Sequence, residues 1–229
     1  VVHHLLDRLP VRTGTLRAIG AYLNAFSIEC FMDELAVAAE IDPVDLRLRH
    51  LSDPRGIAVI QAARNGAGML AGRTRDGVRG MGMGFARYSN EASYAAVVAE
   101  VEAGETVRVT RIVAAVDCGR AINPNGIANQ IEGGVVQAMS FATKEAVQFD
   151  RTRILSRSWD TYPILRFSEA PPVETVLIDR PDQPSLGVGE AVAGPTAAAI
   201  ANAIFDAIGV RVRDLPMTRD GIVAAIHGM

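Results

Sequence analysis

Cysteine is scarce. The 229 residues include two, Cys30 and Cys118, far apart and in no Cys-x-x-Cys pair. A zinc or iron–sulfur site built on the chain's own thiolates is therefore not indicated, and both side chains read as small buried hydrophobes. Positive charge is not in excess: 23 Lys and Arg stand against 26 Asp and Glu, for a net charge of −3. A nucleic-acid binder carries a basic stripe, and none is visible. No apolar run approaches the roughly 20 residues that span a bilayer. There is no Gly-x-Ser-x-Gly elbow, and none of the four histidines stands in a His-Glu-x-x-His motif. A hydrolase therefore has little support. The opening Val1-Val2-His3-His4-Leu5-Leu6 has no initiating Met, no basic region ahead of a long apolar stretch and no Ala-x-Ala site. It is not a secretion signal as it stands. It reads like the middle of a strand, with upstream residues expected to have been removed or to lie on another chain, and localisation stays open.

What is present is the ordinary composition of a packed protein, 49% hydrophobic and 21% charged. Residues 1–11 look extended and are broken by Pro10. Residues 24–40 carry apolar side chains near helical spacing. Asp42-Pro43 then opens a second helix, with Asp42 as N-cap. Ser52-Asp53-Pro54-Arg55-Gly56 ends it, and a third helix is expected over residues 57–67. The glycine-bearing stretch 73–80 is the best lobe boundary, dividing a helical lobe (1–74) from a sheet-and-helix lobe (75–229). Residues 94–101 and 107–116 alternate about a turn at Gly104 and predict a β-hairpin. Asn123-Pro124 opens a helix reaching about residue 145. Further strands are expected within 147–167 and over 173–179, and an Ala-rich helix from Pro195 to about Ile208. The fold class is α+β, with a mixed or antiparallel sheet and packed helices in the second lobe.

The segment Gly187-Val188-Gly189-Glu190, followed by Gly194-Pro195, carries the most chemical information. Glycines admit unusual backbone angles and close approach. Glu190 is placed on a constrained loop just before a helix N-terminus, where a partly desolvated carboxylate can be held ionised by N–H groups. That suits a general base. The competing reading is a helix cap or a salt bridge. Arg17, in a loop of small residues before a helix, reads either as an anion contact or as a surface arginine. Gln130, followed by Glu132-Gly133-Gly134, reads either as a ligand contact or as a structural hydrogen-bonder.

These residues lie in stretches that resemble a known family. Arg17-Ala18-Ile19-Gly20, followed by Glu29-Cys30-Phe31-Met32-Asp33-Glu34-Leu35-Ala36, is similar to a segment of xanthine dehydrogenase-type molybdenum hydroxylase large subunits. So are Val116-Asp117-Cys118-Gly119 with Asn123-Pro124, the Gln130-Ile131-Glu132-Gly133 stretch, the Gly-Val-Gly-Glu loop, and the ending Ala201-Asn202-Ala203-Ile204 with Arg211-Val212-Arg213-Asp214-Leu215-Pro216. The nearest subgroup is the isoquinoline oxidoreductase beta-subunit type. The resemblance implies a C-terminal, cofactor-facing portion of a larger subunit that oxidises an N-heterocycle or aldehyde with water as the oxygen source. It implies molybdopterin, with the cytosine dinucleotide form left open, and a molybdenum held by the cofactor's sulfurs and by no protein ligand. It implies Glu190 as general base, with Arg17, Gln130, Gly187 and Gly189 as cofactor contacts. The partners it implies are the rest of the subunit or a complementary chain, an iron–sulfur subunit or domain, and a small-molecule substrate. Two departures stand out: Ala18 occupies a position where many members carry glycine, and the family's upstream cofactor motifs are missing. The stretch alone is therefore expected to be inactive and to bind little cofactor. The alternative is a structural or binding module that keeps the fold without the cofactor.

Overall fold

The computed structural model describes Val11 and residues 14–69, 76–104 and 106–228. The expected extended segment 1–11, save Val11, and residues 73–75 of the expected boundary stretch 73–80 lie outside these. Six helices and four strands follow in order: α1 (Ile19–Ala38), α2 (Pro43–His50), α3 (Pro54–Ala67), β1 (Arg79–Arg87), β2 (Tyr94–Ala103), β3 (Val107–Asp117), α4 (Pro124–Thr143), β4 (Val173–Ile178), α5 (Ala193–Ile208) and α6 (Arg219–His227). The sheet runs β1-β2-β3-β4. Its first two pairings are antiparallel and the last is parallel, so the α+β class with a mixed sheet holds.

The caps explain where several helices begin. Asp42 accepts from the N–H groups of Val44 and Asp45 at 3.0 and 3.1 Å. Asp53 caps α3 through Arg55 N–H at 2.9 Å, and Asn123 caps α4 through Gly126 N–H at 2.9 Å. Each is followed by proline, whose missing N–H costs nothing in the first turn. α3 therefore starts at Pro54, three residues before the expected start.

α5 is the central helix of one sheet face: every residue from Ala193 to Ile204 is buried, as expected of a helix apolar all round. β1 receives it through glycines two residues apart. A Cβ on Gly80, Gly82 or Gly84 would lie 2.0, 2.1 or 2.3 Å from backbone atoms of Ala203 or Pro195. Those glycines also explain why the sequence pattern assigns no strand to β1, since glycine is depleted in strands. On the other face, Val59, Ile60 and Ala63 of α3 join a core with Tyr94, Ala96, Val98, Val113 and Ala115.

Two further expectations are corrected. α1 starts at Ile19, ahead of the expected residue 24, because it begins without a side-chain cap. The expected strands within 147–167 reduce to a single bridge, Phe149 to Ile154. Phe149, Ile154, Leu155 and Trp159 do not reach a core and are exposed, and the backbone bonds locally, as in Leu155 N–H to Gln148 O at 2.7 Å.

Candidate active site

Four of the five expected site residues meet at the loop ahead of α5. Arg17 approaches from the start of α1. Its Nε donates to the Gly189 carbonyl. Nη2 donates to the Gln130 carbonyl and to Gln130 Oε1, both at 3.1 Å, and Nη1 to Gln137 Oε1 at 3.3 Å. Gln130 and Gln137 project from α4. Gly134 makes room for this clamp, since a Cβ there would lie 2.8 Å from Val192 Cγ2 and 3.3 Å from Arg17 Nη2. Gly187 is not part of the cluster. It is exposed, a Cβ on it would meet nothing within 4 Å, and its carbonyl accepts from the buried Ser93 hydroxyl at 2.6 Å.

Left-handed backbone near the loop falls elsewhere than the glycines of the Gly-Val-Gly-Glu segment. It occurs at Ala18 (φ 73°) and Ile19 (φ 46°), and again at Ser89 and Asn90. Such φ costs a residue with a side chain roughly 1–2 kcal/mol. The turn points Ala18 N–H at Glu190 Oε1, 2.8 Å away. The second oxygen, Oε2, accepts from the Tyr88 hydroxyl at 2.6 Å.

This pairing sets the charge. The Tyr88 hydrogen bond, then the Ala18 N–H, hold the Glu190 carboxyl below its usual range; burial opposes them and the Arg17 charge assists. The same bond to Glu190, with burial, pushes the Tyr88 phenol up. The proton therefore stays on the tyrosine and Glu190 is ionised at neutral pH. Its remaining lone pairs lie at the wall of a cavity of about 490 Å³, shared with Ala18, Phe85, Arg87, Tyr88, Tyr94 and Pro195. Among the described residues, no group of three or more His, Cys, Asp or Glu could hold a metal ion.

Tyr88, the Ala18 N–H, Gln137 and Ser93 have no place in the sequence reading, whereas the close approach expected at the Gly133-Gly134 pair is found at Gly134. The one available signal was Ser89-Asn90, a turn pair, which marks a sharp bend beside Tyr88 but not its target. Asp117 of the Val-Asp-Cys-Gly stretch lies outside this cluster. It is fully buried and binds Arg55 through Nε at 3.0 Å and Nη2 at 2.5 Å, Arg180 Nε at 2.5 Å and Gly119 N–H at 3.0 Å.

Comparison with known proteins bears on this arrangement. One subunit of the nicotinate dehydrogenase of Pseudomonas putida is 42% identical over 95% of this chain, and the beta chain of the isoquinoline 1-oxidoreductase of Brevundimonas diminuta is 33% identical over 93%. The chain spans only 20% and 28% of their respective lengths. The aldehyde oxidoreductase structure from Desulfovibrio desulfuricans superposes with a TM-score of 0.76 over 91% of this chain and 41% of that one; at 17% identity it speaks for the fold alone. Residues 37–171 match the family described as the molybdopterin cofactor-binding domain. That match takes in most of the sheet and all of α4, and the chain belongs to this family of xanthine dehydrogenase-type molybdenum oxidoreductases.

Proposed function

We propose that this chain is the cofactor-facing portion of a molybdenum hydroxylase subunit that oxidises an N-heteroaromatic ring or an aldehyde, with Glu190 as general base. The observation that carries the reading is the treatment of one carboxylate. Both Glu190 oxygens receive a donor, Ala18 N–H at 2.8 Å and Tyr88 Oη at 2.6 Å, and the group still faces a cavity.

The residues present suit the cofactor. Gln130 and Gln137, both partners of Arg17, are exposed, as is Gly187 of the loop, and the space a Cβ would fill at Gly187 and Gly133 is empty. A pterin edge presenting amide-like donors and acceptors can be met there by the two glutamine side chains and the loop backbone. Arg17 would fix the Gly189 carbonyl and Gln130 in place for it. When bound, the molybdenum centre supplies a two-electron acceptor for hydroxylation with water as the oxygen source.

The chain's own work is positional and acid–base. Ionised at neutral pH, Glu190 takes a proton from the attacking oxygen without first losing one of its own. A base so placed contributes about 10²- to 10⁴-fold to rate. Tyr88 and the Ala18 N–H hold the carboxylate's orientation, and the start of α5, three residues beyond Glu190, favours its negative charge. The rest of the subunit completes the pocket, and an iron–sulfur partner takes the electrons. The reading is tested on the complete subunit purified with its partners. Molybdenum and pterin should be present in equal amounts, and oxygen-18 from labelled water should appear in the product. A complete subunit without molybdenum would instead support a cofactor-free module.

A further inference from the structure

The first helix inverts the usual pattern of a surface helix, which turns an apolar stripe to the core and polar residues to solvent. Two of the four buried residues of α1 are charged, Glu29 and Asp33. Large apolar side chains face out instead: Ile19 is 64% exposed, Leu23 57% and Phe31 58%. Leu16, in the turn that leads into α1, is 63% exposed. Single exposed apolar residues need no explanation, whereas a contiguous patch marks a contact.

Three of these side chains are contiguous. Leu16, Ile19 and Leu23 line one groove of about 530 Å³. Tyr22 lines it too, its ring edge-on to Phe141 of α4 with centroids 6.0 Å apart. Leu215 and Pro216, ahead of α6, add further apolar wall. The groove shares no lining residue with the cavity in front of Glu190. Ala18, Ala21 and Ala25 of the α1 region border the Glu190 cavity, while Ile19 and Leu23 border the groove.

One uncompensated charge stands in this apolar setting. Glu145, just beyond α4, is half-buried in the groove wall and accepts from the Tyr162 hydroxyl at 2.8 Å. Burial first, then the bond to Glu145 and its charge, push the Tyr162 phenol up to about 12, so it stays a donor. Among the described residues, no cation lies within ion-pair distance of Glu145. Arg17, the one cation lining the groove, gives its donors to Gly189, Gln130 and Gln137. Lys144, next in sequence, is bound to Glu169. Charges drawn out of water are normally paired.

We infer that this groove docks another part of the same subunit: an apolar segment from outside residues 1–229 that carries one arginine or lysine. Its cation meets Glu145 and its apolar side chains cover Leu16, Ile19 and Leu23. Two observations choose this occupant. The chain matches its relatives over 95% and 93% of its own residues yet spans only 20% and 28% of their lengths, so most of such a subunit is available to cover the groove. The groove is apolar with a single negative charge, and its complement is an apolar body with a positive one. The inference rests on the reading of this chain as a portion of a larger subunit, and not on the role of Glu190. A segment seated there braces Arg17 and the left-handed turn at Ala18 and Ile19 through Leu16, Arg17 and Ile19.

The test uses the complete subunit purified with its partners. Photoreactive benzoylphenylalanine replaces Leu16 in one preparation and Leu23 in another, and the cross-linked peptides are sequenced after irradiation. At least one position should cross-link to an Arg- or Lys-bearing peptide from outside residues 1–229, in a product that still migrates as a single subunit. Cross-links to a second copy, to a partner subunit or only within residues 1–229 would overturn the proposal, as would none at either position. The charge is tested by Glu145→Arg, which should lower the unfolding midpoint of the complete subunit by at least about 2 °C. Changing the cation of the cross-linked segment to glutamate in the same chain should recover at least half of that loss. An unchanged midpoint, or a double variant no better than Glu145→Arg, would overturn the pairing and with it the proposal. Should Glu145→Arg not fold alone, recovery of a folded double variant supports the pair and its failure to fold overturns it. None of these readouts uses turnover. A subunit that cross-links as expected but carries no molybdenum keeps the groove and contradicts the catalytic reading. A loaded, active subunit without the cross-link does the reverse.

Discussion

Two carboxylates at opposite ends of the segment 118–189, which holds α4 and β4, are kept ionised by different means. Asp117, at the end of β3, is wholly buried, and three donors besides a second Arg55 contact crowd its two oxygens. Burial alone would raise its pKa; the Arg55 bond, the Gly119 N–H and Arg180 reverse this and hold it below the usual carboxylate range. Glu190 receives one donor on each oxygen and stays half-buried at a cavity wall. Asp117 has spent its lone pairs joining α3, β3 and the segment around Arg180. Glu190 keeps some for an incoming proton. On the proposed reading, the incomplete shell belongs to the base, while the complete shell belongs to a joint.

Breaking the joint should produce the largest effect. Asp117→Asn leaves two guanidiniums facing a neutral amide in a buried site, and losing one side of such a pair costs about 3–5 kcal/mol. Denaturant unfolding of the variant reads this directly. The wild type should show the same dependence with pH. Asp117 has a depressed pKa in the folded state, so its contribution is complete above the unfolded value near 4 and is lost as pH falls through the folded value. Unfolding at pH 7 and at pH 3 should therefore differ in the wild type and converge toward each other in Asp117→Asn. A variant as stable as wild type at pH 7 would remove Asp117 as the structural counterpart of Glu190.

A smaller perturbation sharpens the contrast from the other side. Tyr88→Phe deletes the first and largest cause of the lowered Glu190 pKa. The acid limb of kcat/KM in the complete enzyme should then move upward toward the ordinary glutamate value near 4.3. Stability should fall by only about 1 kcal/mol. An acid limb that stays in place would mean that Tyr88 does not govern the ionisation of Glu190.

Much of the scaffold could be read from local chemistry. Asp42-Pro43 and Asn123-Pro124 cap helices because side-chain oxygen and proline act within one turn. The 94–116 hairpin follows from alternation and a turn, all local in sequence. Glu190 stood out because its neighbours are glycines and small apolar residues. The rest of the site depends on chain reversals that bring distant segments together. Ala18 N–H and Glu190 are 172 positions apart, Tyr88 and Glu190 102 apart. Nothing in Arg87-Tyr88-Ser89-Asn90 repeats with any period, so the tyrosine has no signature in the sequence. Gly187 stands apart from the side chains gathered around Arg17 and Glu190, its Cβ site facing open space, and its expected contact is with the cofactor rather than with them.

The central claim is that Glu190 serves as the base and not as a cap or brace. Glu190→Gln tests it most directly. The amide keeps the size of the side chain, its oxygen can accept from Ala18 N–H, and its NH₂ can donate to the Tyr88 oxygen. Turnover per bound molybdenum should be measured in the complete enzyme, with the unfolding midpoint taken on the same preparation. The account predicts near-wild-type cofactor content and folding, with turnover down by at least about 10²-fold. Turnover within a few-fold of wild type, accompanied by a stability loss of roughly 1 kcal/mol typical of a lost cap, would contradict it.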